Sequence, residues 1–348
     1  MSHARIKSIT QTGNSNRRYY MMVVFFIMIA AGFEAIRSRN FFFSADTDQA
    51  FDDRLFFDGV KNICSTQLFQ PGNKPAGMII DYHQGQPVPS TCIPEVHGGD
   101  FDKIKCLTDY AALEKITFTV PKELLQARDE TDKFGELLKT SIIDRETLPI
   151  IKTMTTPQTG VYVEAIARIM KIEMLQRAAL DALRINVGLC GEFSQSSIFR
   201  LLQLSSSYKS NLVIQEVSVE DKIGNTHGFV MINSNRKDIE LQNNERAVTK
   251  YLQSVKGYIC DNWNEGLFID ASSNRNNLYR NGWNKLTVTT ISLYFNLTAL
   301  NNDGKAYLEK RLARLGLINL HKKPVISLFD IKSESNNTAV EKKASLRM

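Results

Sequence analysis

Three short segments hold the residue types that thiol chemistry needs. Cys190 stands in NVGLCGEFS, residues 186–194, bracketed by Gly188 and Gly191. A helix is expected to start at the thiol itself. Backbone N–H groups at a helix start lack an intrahelical partner, and together with the helix dipole they favour the anion of a thiol placed there. The same groups can face the oxygen of a tetrahedral intermediate, so Cys190 reads as a nucleophile with Gly191 beside it as oxyanion support. His227 opens the apolar run THGFVMIN, residues 226–233, and Asp261 lies in CDNWN, residues 260–264. A carboxylate on a neighbouring strand can accept the imidazole N–H and fix its tautomer. Taken singly, each residue has a plain structural reading: a core thiol, a satisfied histidine, a turn acid. The order nucleophile, base, orienter is what singles out the set.

The elements around these residues are those needed to hold them. Residues 157–183 predict a long helix whose Tyr162, Ala165, Ile166, Ile169, Ile172, Leu175 and Leu180 follow one face, opened by Thr156 and Pro157. A second helix runs over 190–204 and turns Phe193, Ile198, Leu201 and Leu202 inward. Residues 211–219, 226–233 and 257–260 predict strands, 245–255 a helix, and 285–297 a further strand and helix start. The order indicates an α+β class with a mostly antiparallel sheet. Upstream, 46–60 and 122–139 read as helices, while 71–106 is dense in Pro and Gly pairs and reads as loop.

The chain divides into a basic segment with an apolar helix (1–39), a helical and loop-rich accessory region (40–150), a core carrying the three residues (151–330) and a polar tail (331–348). Residues 19–33 are free of charge and follow Arg5, Lys7, Arg17 and Arg18. Their length suits a secretory signal or uncleaved anchor, with a short single-pass anchor or a buried helix as the other readings. The expectation is an exported or membrane-anchored protein, with membrane contact through 19–33. Of the net charge of +6, residues 1–20 supply +4 and the tail 331–348 supplies +2, so residues 21–330 sum to zero. No basic stripe exists to neutralise a row of phosphates, and nucleic acid is excluded as a partner.

The strings GLCGEFS, THGFVMI and ICDNWN resemble the Cys–His–Asp core of the papain-like and transglutaminase-like cysteine enzymes, nearest to the thiol-dependent effectors of intracellular bacteria such as Legionella. The likeness covers about residues 160–300, and it departs at Asn262, where those effectors often have proline. The resemblance implies an α+β core in which a helix bearing Cys190 packs on an antiparallel sheet bearing His227 and Asp261. It implies Cys190 as nucleophile, His227 as general base and acid, Asp261 as orienter, and Trp263 as a shield of the His–Asp pair from water. Papain-like enzymes place an oxyanion glutamine ahead of the nucleophile; here the nearby amide is Asn186. Glu192 is either site support or an exposed first-turn acid.

The chemistry that follows is acyl transfer from an amide of a protein substrate, a host protein if the chain is delivered into a host cell. Water as acceptor gives a protease or deamidase, and a lysine amine gives a transglutaminase. The alternatives are an inactive fold of this kind serving as a protein-interaction module, or a binding function held by the region 40–150. No cofactor is implied, because no glycine-rich phosphate loop occurs. His83, Cys92, His97 and Cys106 match no zinc spacing, so no metal is expected. If the chain is exported, a Cys92–Cys106 disulfide is the alternative, and five cysteines leave at least one free thiol, with the state of Cys64 open.

Overall fold

The structure, a computed structural model, describes residues 53–317 except 76, 84–85, 94–100, 117–119, 209–211, 274–281 and 292–294, and omits the side chains of 140–144. The apolar run 19–33, His97 and the tail 331–348 therefore lie outside the described residues.

The chain opens with helix α1 (Asp53–Ser65), the two-residue strand β1 (Gln70–Pro71) and a hairpin of β2 (Ile80–His83) and β3 (Gln86–Pro89). Helices α2 (Lys103–Leu113), α3 (Lys122–Ser141), α4 (Leu148–Ile151) and α5 (Thr156–Ile185) follow. A short strand β4 (Val187–Gly188) leads into α6 (Cys190–Tyr208). The remainder is β5 (Ile214–Asp221), β6 (Thr226–Ile232), β7 (Ile239–Leu241), α7 (Glu245–Gln253), β8 (Tyr258–Asp261), β9 (Leu267–Asp270), β10 (Trp283–Ile291) and α8 (Asn302–Arg314). The fold is mixed α and β, and its six-stranded sheet runs β7-β10-β5-β6-β8-β9 with every neighbour antiparallel.

Local chemistry explains the boundaries that matter. Helix α5 begins at a capping box of Thr155 and Gln158 with Pro157 in its first turn, and it ends at Asn186, whose φ of 54° is left-handed. The two-residue β4 then pairs in parallel with β1, and α6 starts at the thiol. Phe193, Ile198, Leu201 and Leu202 are all buried, as the period demands. Leu180 is not: it is 54% exposed, because the apolar stripe of α5 shifts to Ala179 and Ala182 in the last turns.

Two apolar layers cover the sheet. Ile214, Val230, Ile232 and Cys260 meet α5 and α6, while Val217, Val219, Phe229, Met231 and Leu286 meet Val248 and Leu252 of α7. Each fully buried Ile, Leu or Phe adds about 1.5–3 kcal/mol by leaving water. Helix α1 belongs to the first layer, since Phe56, Val60, Ile63 and Cys64 share one core with Tyr162, Ile169, Ile198 and Leu201. The region before residue 150 is thus packed into the fold rather than set apart from it.

The loop expected over 71–106 holds instead the β2–β3 hairpin, a helical turn at Ser90–Cys92 and the start of α2. Pro87 and Pro89 lie in a two-stranded ladder, where a missing N–H is tolerated on the open side. The strands β7 and β9 and the helices α2 and α8 lay outside the sequence expectations.

Candidate active site

Cys190 is the first residue of α6, at the end of the sheet where β6 begins. Its Sγ lies 4.0 Å from the carbonyl oxygen of Thr226, and its thiol is in hydrogen-bond contact with His227. His227, 2% exposed, puts Nε2 2.8 Å from Oδ2 of Asp261, itself 1% exposed. Asp261 ends β8, the strand paired with β6, and its other oxygen accepts from the backbone N–H of Asn264. A carboxylate only accepts, so Nε2 carries hydrogen and Nδ1 is the nitrogen left for the thiol. The structure brings together the three residues that the sequence singled out.

Electrostatics favour a charged pair. Burial opposes the imidazolium, yet the charge and hydrogen bond of Asp261, joined by those of Cys190, outweigh it and raise His227 to about 10. The folded chain therefore keeps a proton that the unfolded chain releases near 6.5. That contribution to stability is complete below about 6.5 and is lost as pH climbs to about 10.

Comparison with known family models, curated proteins and solved structures finds no match.

Trp263 packs on the pair, its ring centroid 5.3 Å from that of His227. Its indole Nε1 donates to Oδ1 of Asn73 at 2.9 Å, and Nζ of Lys74 lies 4.5 Å above the ring. Lys74 donates to the carbonyl of Met78, and burial lowers it to about 8 despite the nearby Asp261 and Glu265 carboxylates. Asn262 anchors the same loop: its amide donates to the carbonyl of Ile63 and to Oγ of Ser197, both at 2.9 Å.

Glu192 is buried, which removes the exposed-acid alternative. Its two oxygens take Nε and Nη2 of Arg128 at 2.7 and 2.9 Å, and Oε2 also accepts the backbone N–H of Leu189 at 3.0 Å. It therefore fixes the first turn of α6. Gly191 leaves open space, for a Cβ built there meets nothing within 4 Å. A cavity of about 370 Å³ lies beside it, lined among others by Arg128, Met174, Gly191, Glu192 and Gln195.

Asn186 is the amide four residues ahead of Cys190. It is exposed as the left-handed cap of α5, and its carbonyl takes the N–H of Gln70.

Sequence reasoning missed the groups supplied by 69–83. Gly188 has no room for a side chain, since a Cβ there would sit 2.3 Å from Cε2 of Phe69. Asn264 clamps β2 by accepting from the N–H of Ile80 and donating to its carbonyl. Beside it Asp81 is buried with neither oxygen hydrogen-bonded among the described residues, and burial and Asp261 raise it to about 7. The alternating pattern of IDYH was the one available signal, obscured by the surrounding prolines.

Cys92 and Cys106 form a disulfide between the helical turn and α2, whereas Cys64 and Cys260 are free, buried thiols in contact with each other. His83 is exposed at the end of β2. Among the described residues no three metal-ligating side chains cluster, and no helix is long and apolar enough to cross a membrane.

Proposed function

We propose that this chain is a cysteine-dependent acyl-transfer enzyme with a papain-like or transglutaminase-like core, acting on an amide of a protein substrate through Cys190, His227 and Asp261. One observation carries the reading. The only free thiol among the described residues that is not buried contacts an imidazole held by a buried carboxylate at 2.8 Å.

In this reading the thiolate attacks the carbonyl carbon, a C–S bond forms, and the π electrons move to oxygen. On collapse the C–N bond breaks, and the His227 imidazolium gives its proton to the leaving nitrogen. The resulting thioester carries no charge on sulfur, so one source of the imidazolium's stability is gone. The neutral ring then accepts a proton from water or from an amine, and the acyl group passes to that acceptor. Water makes the enzyme a protease or deamidase, and a lysine amine makes it a transglutaminase. The Cys92–Cys106 bridge supports an oxidising destination, in keeping with an exported bacterial protein and a host substrate.

The test is labelling of the full chain with iodoacetamide at pH 6, read by peptide mass. Cys190 is expected to alkylate first, and His227→Ala to slow it by about tenfold or more, through loss of the ion-pair partner. Equal rates with and without the imidazole would leave an inert interaction module as the better reading. Incubation with host lysate and a dansyl amine then separates incorporation from cleavage.

A further inference from the structure

None of the three site residues lines the cavity beside Gly191. It holds about 370 Å³ between α3, α5 and the first turns of α6, and it reaches Gly191 and Glu192, the two residues that follow the nucleophile. Consecutive Cα atoms stand about 3.8 Å apart, so the space at Gly191, where a Cβ would meet nothing within 4 Å, adjoins the thiol-bearing residue. A side chain next to a carbonyl bound at Cys190 has that space within its reach.

The walls are aliphatic and small. Leu124 and Ala127 come from α3, Met174, Leu175 and Ala178 from α5, and no aromatic ring lines the cavity among the described residues. Such walls suit a slender aliphatic chain. The charges of the lining select the end of that chain. Arg128 is closed on Glu192 at 2.7 and 2.9 Å, Lys171 on Glu216 at 3.1 Å, and Asp181 on Arg177 at 2.8 Å. What remains is Asp132, exposed and without a hydrogen-bond or ion-pair partner among the described residues. With its cations already paired and one carboxylate left over, the lining attracts a cation and repels an anion.

We propose that this cavity is a specificity site for a basic aliphatic side chain, carried by the substrate residue whose carbonyl Cys190 attacks, and that Asp132 selects its charge. The assignment rests on the acyl-transfer reading above and narrows it, since the reacting amide is then a main-chain amide that follows a basic residue. The cavity adds no bond-making step; it holds the stem of the side chain along the aliphatic walls and sets its cation against Asp132.

Three p-nitrophenyl esters of Nα-acetyl amino acids test this on the full chain: glycine, norleucine, which has the stem of lysine without its ammonium, and lysine. Acylation of Cys190 is read as the burst of nitrophenolate. The norleucyl ester is expected to react about tenfold faster than the glycyl ester, the scale of two methylene groups leaving water, and the lysyl ester about fivefold faster again, the upper scale of an exposed ion pair. Asp132→Asn should bring the lysyl and norleucyl rates together, Asp132→Lys should reverse their order, and salt near about 1 M should equalise them in the wild type. Ala178→Leu, a good helix former that fills the cavity, should bring the norleucyl rate down to that of the glycyl ester. Equal lysyl and norleucyl rates in the wild type, or a lysyl preference that survives Asp132→Asn, overturn the assignment. So does a norleucyl preference indifferent to Ala178→Leu, which would put the side chain outside the cavity. Failure of all three esters to acylate Cys190 would overturn the acyl-transfer reading and the assignment with it, an outcome distinct from equal rates.

Discussion

Replacing Asp81 by Asn should make the protein more stable at neutral pH and leave it unchanged in acid. Asp81 is enclosed, neither oxygen has a hydrogen-bond partner among the described residues, and Asp261 lies within electrostatic reach. Burial first, and then Asp261, raise it from 3.8 to about 7. Between those values the folded chain keeps a proton that the unfolded chain has released. Stability therefore falls as pH rises through the window, at about 1.4 kcal/mol per pH unit. The whole loss approaches about 4 kcal/mol above pH 7, taking the buried site at face value. Asn has nearly the same shape and does not ionise, so it removes this slope without opening a cavity. Urea unfolding of both proteins at intervals from pH 4 to 8 is the assay. Their stabilities should coincide near pH 4 and diverge in favour of Asp81→Asn toward pH 8. The titrations of His227 and Lys74 are common to both and cancel in the difference. Parallel curves would refute the reasoning and place Asp81 in contact with water or a partner group in solution.

Two further substitutions probe the frame of the site. Gly188→Ala puts a Cβ 2.3 Å from Cε2 of Phe69 and 3.1 Å from Cβ of Glu192, so a loss of about 1–3 kcal/mol is expected in thermal or urea unfolding; Phe69→Leu in the same chain should restore part of it, and a full-strength single variant would deny the close packing. Arg128→Leu leaves Glu192 buried without its guanidinium partner and should lower stability by about 1–3 kcal/mol, whereas Glu192→Gln in that background should recover much of the loss, an outcome a double-mutant cycle reads directly.

The cluster was legible because each of its three residues carries a local signature. Cys190 lies between Gly188 and Gly191 and heads an amphipathic run, His227 opens an alternating strand, and Asp261 closes one, so helix start and strand ends were readable from spacing alone. The role of Asn186 was not legible in the same way. Sequence distance says only that two residues are near along the chain, and Asn186 is an exposed left-handed helix cap. Glu192 stayed open between two roles because its partner, Arg128, stands 64 positions earlier on another helix, and periodicity reports which face is buried without saying what covers it.

The same limit explains why the region before residue 150 reads as an accessory. Its composition changes there and its prolines hide a hairpin, so the pattern breaks where the packing does not. Phe56 and Val60 complete the core beneath β8, Asn73 and Lys74 hold Trp263 over the imidazole, and the Asn264 clamp holds β2, with Asp81 and Tyr82, beside the His227–Asp261 pair. A cluster whose thiol, imidazole and carboxylate come from one stretch of chain, but whose covering groups come from another, cannot be assembled by either alone. Residues 53–83 are in that sense part of the candidate site, and removing them would strip Trp263 of Asn73 and Lys74 and His227 of the Tyr82 ring packed beside it.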